Sequence, residues 1–460
     1  MSAMTINGAP VASSTTFEVV NPATGKVEAQ APDCTPAQLD AAVAAAQEAG
    51  RAWSADVDER RKSMLRLAEA ITAAADELTA DLVLETGKPV PVAASEPGIC
   101  AMWLQVFAGM EIPRSVLQDD ESALIEVAHR PVGVVAAITP WNFPLGLAMW
   151  KIAPALLAGN TVVLKPSPFT PLATLRLGAI MGEVLPPGVV NVVTGGDELG
   201  RALVAHPGPR MVTFTGSVPG GKSVAAAAGA DLKRVTLELG GNDATILMSD
   251  VDLAAAVPRI LGTAFFNSGQ ACALPKRIYV PDALYEDAVD AFAAAASAIE
   301  VGPQMGPLST RPQYERVRAL AAEAVSGGAR AATGGAPVDG PGFFFQPTIL
   351  ADVADDARVV AEEQFGPVLP VLRYSAVDDA VARANATMFG LCGSVWGADA
   401  DAARAVAERL ECGTTFVNTH AALLPTVPFR GAKWSGVGVE NGTEGLLAFT
   451  EPQVVHTARG

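Results

Sequence analysis

Between residues 131 and 248 short apolar, β-rich runs recur with helix-forming stretches between them. The runs are VGVVAAI, TVVLKP, VVNVVTG, MVTFTG and ATILMS, and PLATLRLGAIMGEVL is one of the intervening helices. Such alternation predicts a parallel sheet with helices on both faces, and so an α/β fold. A second α/β region follows, from the helix VDLAAAVPRILGTAFFN to about residue 450. Upstream the pattern is helical: Thr35-Pro36 reads as a cap and first turn for AQLDAAVAAAQEAGRAW, and a second helix starts near Asp58. A third, within ADELTADLVLETGKP, stops at Gly87 and Pro89. From Ile112 the period changes to alternation, IPRSVLQ and ALIEVAHRPVGVV around an acidic Asp119-Asp120-Glu121 turn, which predicts a hairpin arm.

A chain of 460 residues calls for more than one core, and a hydrophobic share of 50% against 18% charged can fill them. The formal charge of −17 argues against nucleic acid or an anionic membrane as partner, since both need a basic surface. Cys34, Cys100, Cys272, Cys392 and Cys412 are scattered, with no CxxC pair and no nearby His, so neither a disulfide framework nor a zinc site is expected. MSAMTINGAP lacks the basic start and apolar core of a signal peptide, and Gly and Pro interrupt every long apolar run. The expectation is a cytoplasmic protein with no metal and no membrane partner.

Residues 216–223, GSVPGGKS, satisfy the phosphate-loop pattern GxxxxGK[ST] between the strand MVTFT and the helical KSVAAAAGA. Glycines let backbone N–H groups approach phosphate, and a helix N-terminus adds positive dipole. The pattern fits a nucleotide hydrolase or a dinucleotide site. Pro219 and the lack of a convincing strand-ending Mg²⁺ aspartate weigh against the hydrolase.

Seven segments occur in order: TPWNFPL (139–145), KPSPFTP (165–171), FTGS (214–217), LELGG (237–241), FFNSGQAC (265–272), EEQFGPV (362–368) and PFRGAKWSG (428–436). Together they resemble the aldehyde dehydrogenase superfamily, from VVNPATGKV at 19 to AFTEPQVV at 448. The resemblance implies a Rossmann-like cofactor domain over 1–111 and 131–240, a catalytic domain over 241–450 and a small β oligomerisation arm over 112–130 and 451–460. It implies NAD or NADP as cofactor, a small-molecule aldehyde as substrate, and a homodimer or homotetramer.

The same resemblance assigns roles. Cys272 is the nucleophile that forms a thiohemiacetal and then a thioester. Asn142, with the Cys272 N–H, is the oxyanion donor, a contribution of ~3 kcal/mol to the barrier. Glu238 is the general base for hydrolysis, its pKa raised by apolar surroundings, and its presence favours the free acid over transfer to coenzyme A. Glu451 matches a C-terminal glutamate on the water or proton path. Thr139, Trp141, Lys165, Gly216, Ser217, Glu363 and Phe365 fall on the cofactor side. Phe143, Leu147, Trp150, Phe266 and Leu423 fall on the substrate side, where an apolar lining favours aliphatic or aromatic aldehydes.

Three positions depart from the pattern. Pro168 stands where NAD-preferring relatives often carry a glutamate that grips the ribose, so NADP is tolerated. Arg430 replaces a usual glycine, and is either a surface residue or an anchor for the carboxylate of a semialdehyde. Asn242 stands where many relatives have lysine. A non-catalytic descendant of the fold is the remaining alternative, opposed by the intact Cys272, Glu238 and Asn142.

Overall fold

A computed structural model of the chain describes residues 3–459. Met1, Ser2 and Gly460, at the outer bounds of the expected cofactor domain and arm, lie outside the described residues.

The expected parallel sheet forms. Its central strands run in the order Val190–Val192, Thr161–Lys165, Val134–Ile138, Met211–Thr215 and Arg234–Glu238, all parallel. ATILMS does not join them. As the strand Asp243–Leu247 it pairs with Pro275–Pro281 and Cys392–Trp396 in a separate seven-stranded sheet. An apolar run reports that a strand is buried on both faces, not which sheet buries it.

Both edges of the first sheet come from distant sequence. Met4–Ile6 and Ala9–Val11 form a hairpin across Asn7-Gly8, both at positive φ (54° and 73°), and Met4–Ile6 continues the sheet beside Val190–Val192. The helical reading of the first third is corrected here: four short strands over Met4–Pro32 precede the helices, and TINGAPV carries the Asn-Gly hairpin signal. At the far edge Gly436–Val437 runs antiparallel to Leu237–Glu238, and the helix Gly442–Ala448 follows. Leu446 and Phe449 are buried in the core of the first sheet. Residues 436–449 therefore pack with the cofactor-side sheet, not with the catalytic domain to which 241–450 assigned them.

The first helix begins and the third ends on the residues expected, while the second, expected from about Asp58, begins at Val57. Thr35 and Gln38 make a capping box ahead of Pro36–Ala55, and Asp56 caps Val57–Ala73. Ala75–Thr86 stops at Gly87 in the left-handed region, where a Cβ would sit 2.4 Å from Pro307 Cγ. The arm is the hairpin of Ser115–Asp119 and Ala123–Pro131, completed by Thr450–Ala458 along the whole length of the second strand. Val116, Leu117 and Val454 on it are exposed by 56%, 66% and 62%, apolar side chains left open on the arm. Among the described residues no helix is long and apolar enough to cross a membrane, and no cluster of His, Cys, Asp and Glu is suited to a metal ion.

Candidate active site

Parallel strands place their carboxyl ends along one edge, where open α/β sheets bind ligands. Ile138 is in register with Lys165 and with Phe214, and Thr215 with Glu238. The four strands thus deliver four segments to one edge: Thr139–Asn142, Lys165, Thr215–Ser217 and Glu238.

Cys272 reaches this edge by a constrained loop. After the helix Leu253–Ala264 the chain turns through Asn267 and Ser268, both in the left-handed region, and Gly269. Each turn residue is held. Asn267 Nδ2 donates to the Asn142 and Gln270 carbonyls at 3.2 Å, and Ser268 Oγ donates to the Gly306 carbonyl at 2.8 Å. Gln270 Oε1 accepts the Ser309 N–H at 2.8 Å. Strained backbone of this kind persists only where its surroundings over-determine it, as they do here.

Cys272, Glu238 and Asn142, separated in sequence by up to 130 residues (272 − 142), line a single cavity of roughly 690 Å³. Trp141, Gly216, Ser217, Glu363 and Phe365 line it too. Asn142 Nδ2 donates to the Gln270 carbonyl at 3.0 Å, while its Oδ1 is buried without a partner. The thiol of Cys272 faces Glu238, and neither carboxylate oxygen of Glu238 has a hydrogen-bond partner of good geometry. Burial raises the Glu238 pKa well above the usual carboxylate range; the charge of Glu440 adds to the rise and Lys151 opposes it. The Cys272 thiol is also pushed well up, by burial first and then by Glu238, Glu363 and Asp243, with Lys276 opposing. Glu363 is raised to about 7 by burial against the pull of Lys276, and its Oε1 accepts the Gly241 N–H at 3.0 Å. Phe365 meets Trp141 edge-on at 5.3 Å.

Thr139 and Lys165 do not line the cavity. Thr139 donates its backbone N–H to the Lys165 carbonyl at 3.1 Å, and its hydroxyl is buried and unpartnered. Lys165 is buried, which brings its pKa down to about 8 against the charges of Asp197 and Asp33.

Glu451 is corrected. It lies exposed on the arm strand Thr450–Ala458, opposite Arg130, away from the cavity. The carboxylate beside Glu238 is Glu440, whose backbone is bridged to Phe429. Its Oε1 lies 2.5 Å from Lys151 Nζ, and Lys151 also reaches Thr213 Oγ1 at 3.2 Å. The signal for this pair was a lone lysine in the otherwise apolar helix PLGLAMWKIAPALL, because a lysine buried on a helix needs an anion.

None of the five substrate-side residues lines the 690 Å³ cavity. Phe143 stacks on Phe266 at 5.9 Å, with Lys88 Nζ 3.9 Å from its centroid. Trp150 stacks on Trp103 and meets Phe429 edge-on, Leu147 is buried in the same core, and Leu423 is half-buried against it. Arg430 is exposed and borders a separate depression with Glu411, Cys412 and Lys433, so the semialdehyde anchor has no support at the cavity. Asn242 donates from Nδ2 to the Val360 carbonyl at 2.8 Å.

The phosphate-loop segment is built as a helix start. Ser217 Oγ accepts the Gly220 N–H at 3.2 Å and caps Val218–Ala230. Lys222 does not turn back into the loop; its ammonium lies 3.4 Å from the centroid of Trp434. A helix N-terminus, the buried and unpartnered Thr215 hydroxyl and the Glu363 carboxylate around one cavity of roughly 690 Å³ fit a dinucleotide.

Such a sheet edge, with a dinucleotide-sized cavity beside a half-buried thiol, defines an oxidoreductase that works with a nicotinamide cofactor. The aldehyde dehydrogenase family profile matches residues 10–455. Aldehyde dehydrogenase LUC3 of Fusarium sp. is 39% identical over 455 residues, covering 98% of this chain and 97% of that one. The phenylacetaldehyde dehydrogenase of Pseudomonas fluorescens is 40% identical over 95% of this chain and 91% of its own. The NAD⁺ complex of a Bacillus cereus aldehyde dehydrogenase superposes with a TM-score of 0.97 at 35% identity, over 99% of this chain and 96% of that one. The chain belongs to the aldehyde dehydrogenase family and oxidises aldehydes to acids with NAD(P)⁺.

Proposed function

We propose that the chain converts apolar aromatic or aliphatic aldehydes to free acids through a covalent adduct on Cys272. The observation that carries this reading is the convergence of Cys272, Glu238 and Asn142 on one cavity, with both Glu238 oxygens free to accept a proton.

The resting thiol is protonated, since burial and three carboxylates oppose the thiolate. Glu238 faces it, is itself raised, and takes the proton as sulfur attacks the aldehyde carbon. The charge that develops on the aldehyde oxygen meets the Cys272 N–H and the remaining N–H of Asn142, a donor of that kind lowering the barrier by about 3 kcal/mol. NAD(P)⁺, when bound, supplies the hydride acceptor that turns the thiohemiacetal into a thioester. Once Glu238 has given up the thiol proton toward the neighbouring Lys151–Glu440 pair, its carboxylate removes a proton from water as it attacks the thioester; the C–S bond breaks, the sulfur takes back a proton and the acid leaves. Lys151 and Glu440 beside Glu238 give the proton it has taken a buried route away from the site.

The Phe143–Phe266 stack beside Asn142 supports an aromatic or long aliphatic substrate, as does similarity to a phenylacetaldehyde dehydrogenase. The exposed apolar side chains of the arm support a homo-oligomer. The test is reduced-cofactor absorbance with phenylacetaldehyde, octanal and succinic semialdehyde, each with NAD⁺ and NADP⁺, on the wild type and Cys272→Ala. Turnover of phenylacetaldehyde and octanal that vanishes in Cys272→Ala is expected. Retained turnover in the variant removes the nucleophile from the reading, and a preference for succinic semialdehyde removes the substrate class.

A further inference from the structure

Lys276 lies four residues beyond the thiol and is 2% exposed. Its ammonium donates to the Gly269 and Ala271 carbonyls, both at 2.9 Å, and sits 5.1 Å from the centroid of Phe365. Two backbone carbonyls on opposite sides of Gln270 are thus tied to one cation. A planar trans peptide points its C=O and N–H in opposite directions. Tying the Ala271 carbonyl to Lys276 therefore turns the N–H of the same peptide unit, that of Cys272, away from the lysine. No protein acceptor takes that N–H among the described residues.

The surroundings explain why a cation stands there. Facing the thiol are Glu238 from the first sheet, Asp243 from the second and Glu363 from the loop 362–367. Behind them Lys151 and Glu440 act on Glu238, Arg316 acts on Glu363, and His420 lies against Asp243 at 3.4 Å. Lys276 is the cation whose charge acts on the thiol, while its ammonium is held by the two carbonyls. Burial lowers its pKa, and Glu363 and Asp243 oppose that fall. Asn242 gives the neighbouring position no charge, so the compensating cation comes from the strand Pro275–Pro281.

We infer that Lys276 is a positioning residue for the reaction: it aims the Cys272 N–H at the substrate oxygen and supplies the positive charge that lets the thiolate form. This rests on the nucleophile reading of Cys272. The test is alkylation of the cofactor-free enzyme by iodoacetamide across pH, with the modified residue located by peptide mass spectrometry, in wild type, Lys276→Met and Lys276→Arg. Steady-state kinetics with phenylacetaldehyde run alongside. Losing the cation should raise the midpoint of Cys272 alkylation by about one pH unit, or about tenfold slower modification on the acid limb, while Lys276→Arg keeps the wild-type profile. In Lys276→Met kcat should fall with KM little changed, because the oxyanion donor acts on the transition state. A lysine that merely braces the fold would lower stability in both variants and leave the alkylation profile in place. Coincident profiles for wild type and Lys276→Met, or an equal shift in Lys276→Arg, overturn the inference. If Lys276→Met does not fold, Lys276→Gln, which keeps a donor without the charge, carries the same comparison. Alkylation of wild-type Cys272 that leaves turnover intact would instead remove the nucleophile reading, so the two failures are distinct.

Discussion

Lys151 and Glu440 should be worth little as a pair and a great deal singly. Their side chains are 0% and 2% exposed, and Nζ and Oε1 lie 2.5 Å apart. Removing the carboxylate by Glu440→Gln leaves a buried ammonium with Thr213 Oγ1, at 3.2 Å, as its other side-chain partner. Removing the ammonium by Lys151→Met leaves Glu440 with an unpartnered Oε2, close to a second buried carboxylate, Glu238. Breaking a buried pair on one side costs about 3–5 kcal/mol, whereas replacing both charges is close to neutral. At ~2–4 °C per kcal/mol for a domain of this size, each single variant should unfold roughly 6–20 °C below the wild type. The double variant should recover most of that loss. The assay is intrinsic fluorescence of the six tryptophans during thermal and urea unfolding. Penalties that add in the double variant, or single losses under about 1 kcal/mol, would refute the claim that each charge is buried only because the other is there.

Three further outcomes are expected. Glu238→Gln should lower kcat by about 10²–10⁴ and slow both half-reactions, so that the first turnover of reduced cofactor is slowed along with the steady state. Because burial holds the folded-state pKa of Glu238 above its unfolded value, the fold binds this proton more tightly than the unfolded chain does. Wild-type stability therefore falls as pH rises from the ordinary carboxylate range through the raised pKa, and kcat rises over the same window. Melting curves of Glu238→Gln and wild type should diverge in favour of the variant as pH rises above the ordinary carboxylate range, and a constant gap contradicts this. Pro168→Glu should lower kcat/KM for NADP⁺ relative to NAD⁺ by about tenfold or more, and an unchanged ratio in paired assays rejects the ribose argument. In Gly241→Ala the new Cβ would meet the Cys272 carbonyl oxygen at 2.5 Å, so the loop must move. Activity should drop about 100-fold while the far-ultraviolet circular dichroism is kept.

What could be read in the sequence was local. Thr35, Gly87 and Ser217 act through neighbours within a few residues, and the five apolar runs state their own burial. The motif residues Cys272, Glu238 and Asn142 were legible because their segments occur in a recognisable order. The misplacement of Glu451 for Glu440 has a physical reason. Two glutamates eleven residues apart (451 − 440) look alike until the antiparallel pairing of Gly436–Val437 with Leu237–Glu238 carries one beside Glu238 and leaves the other on the arm. The apolar pattern alone, unlike the domain bound at 241 that the resemblance implied, hid the destination of Asp243–Leu247 for a related cause. Its length and apolarity suit either sheet, and the choice is made by contacts with strands as distant as Cys392–Trp396. The clasp of Lys276 on two carbonyls is a property of loop geometry, and no spacing of residues announces it.

The late return of the chain to the first sheet bears on the order of synthesis. Up to Glu238 a growing chain holds every central strand of that sheet, but the outer side of Arg234–Glu238 is an open edge, and Lys151 has no anion. Both deficits end only when residues 436–440 emerge, after the whole second sheet has been made. A ribosome-bound chain thus carries an unpaired strand edge, a known hazard for aggregation, through roughly its second half. It also carries Cys272 without its completed surroundings. The same five residues that close the sheet install Glu440, so edge protection and the anion for Lys151 arrive together, and truncated chains ending before residue 436 should hold neither.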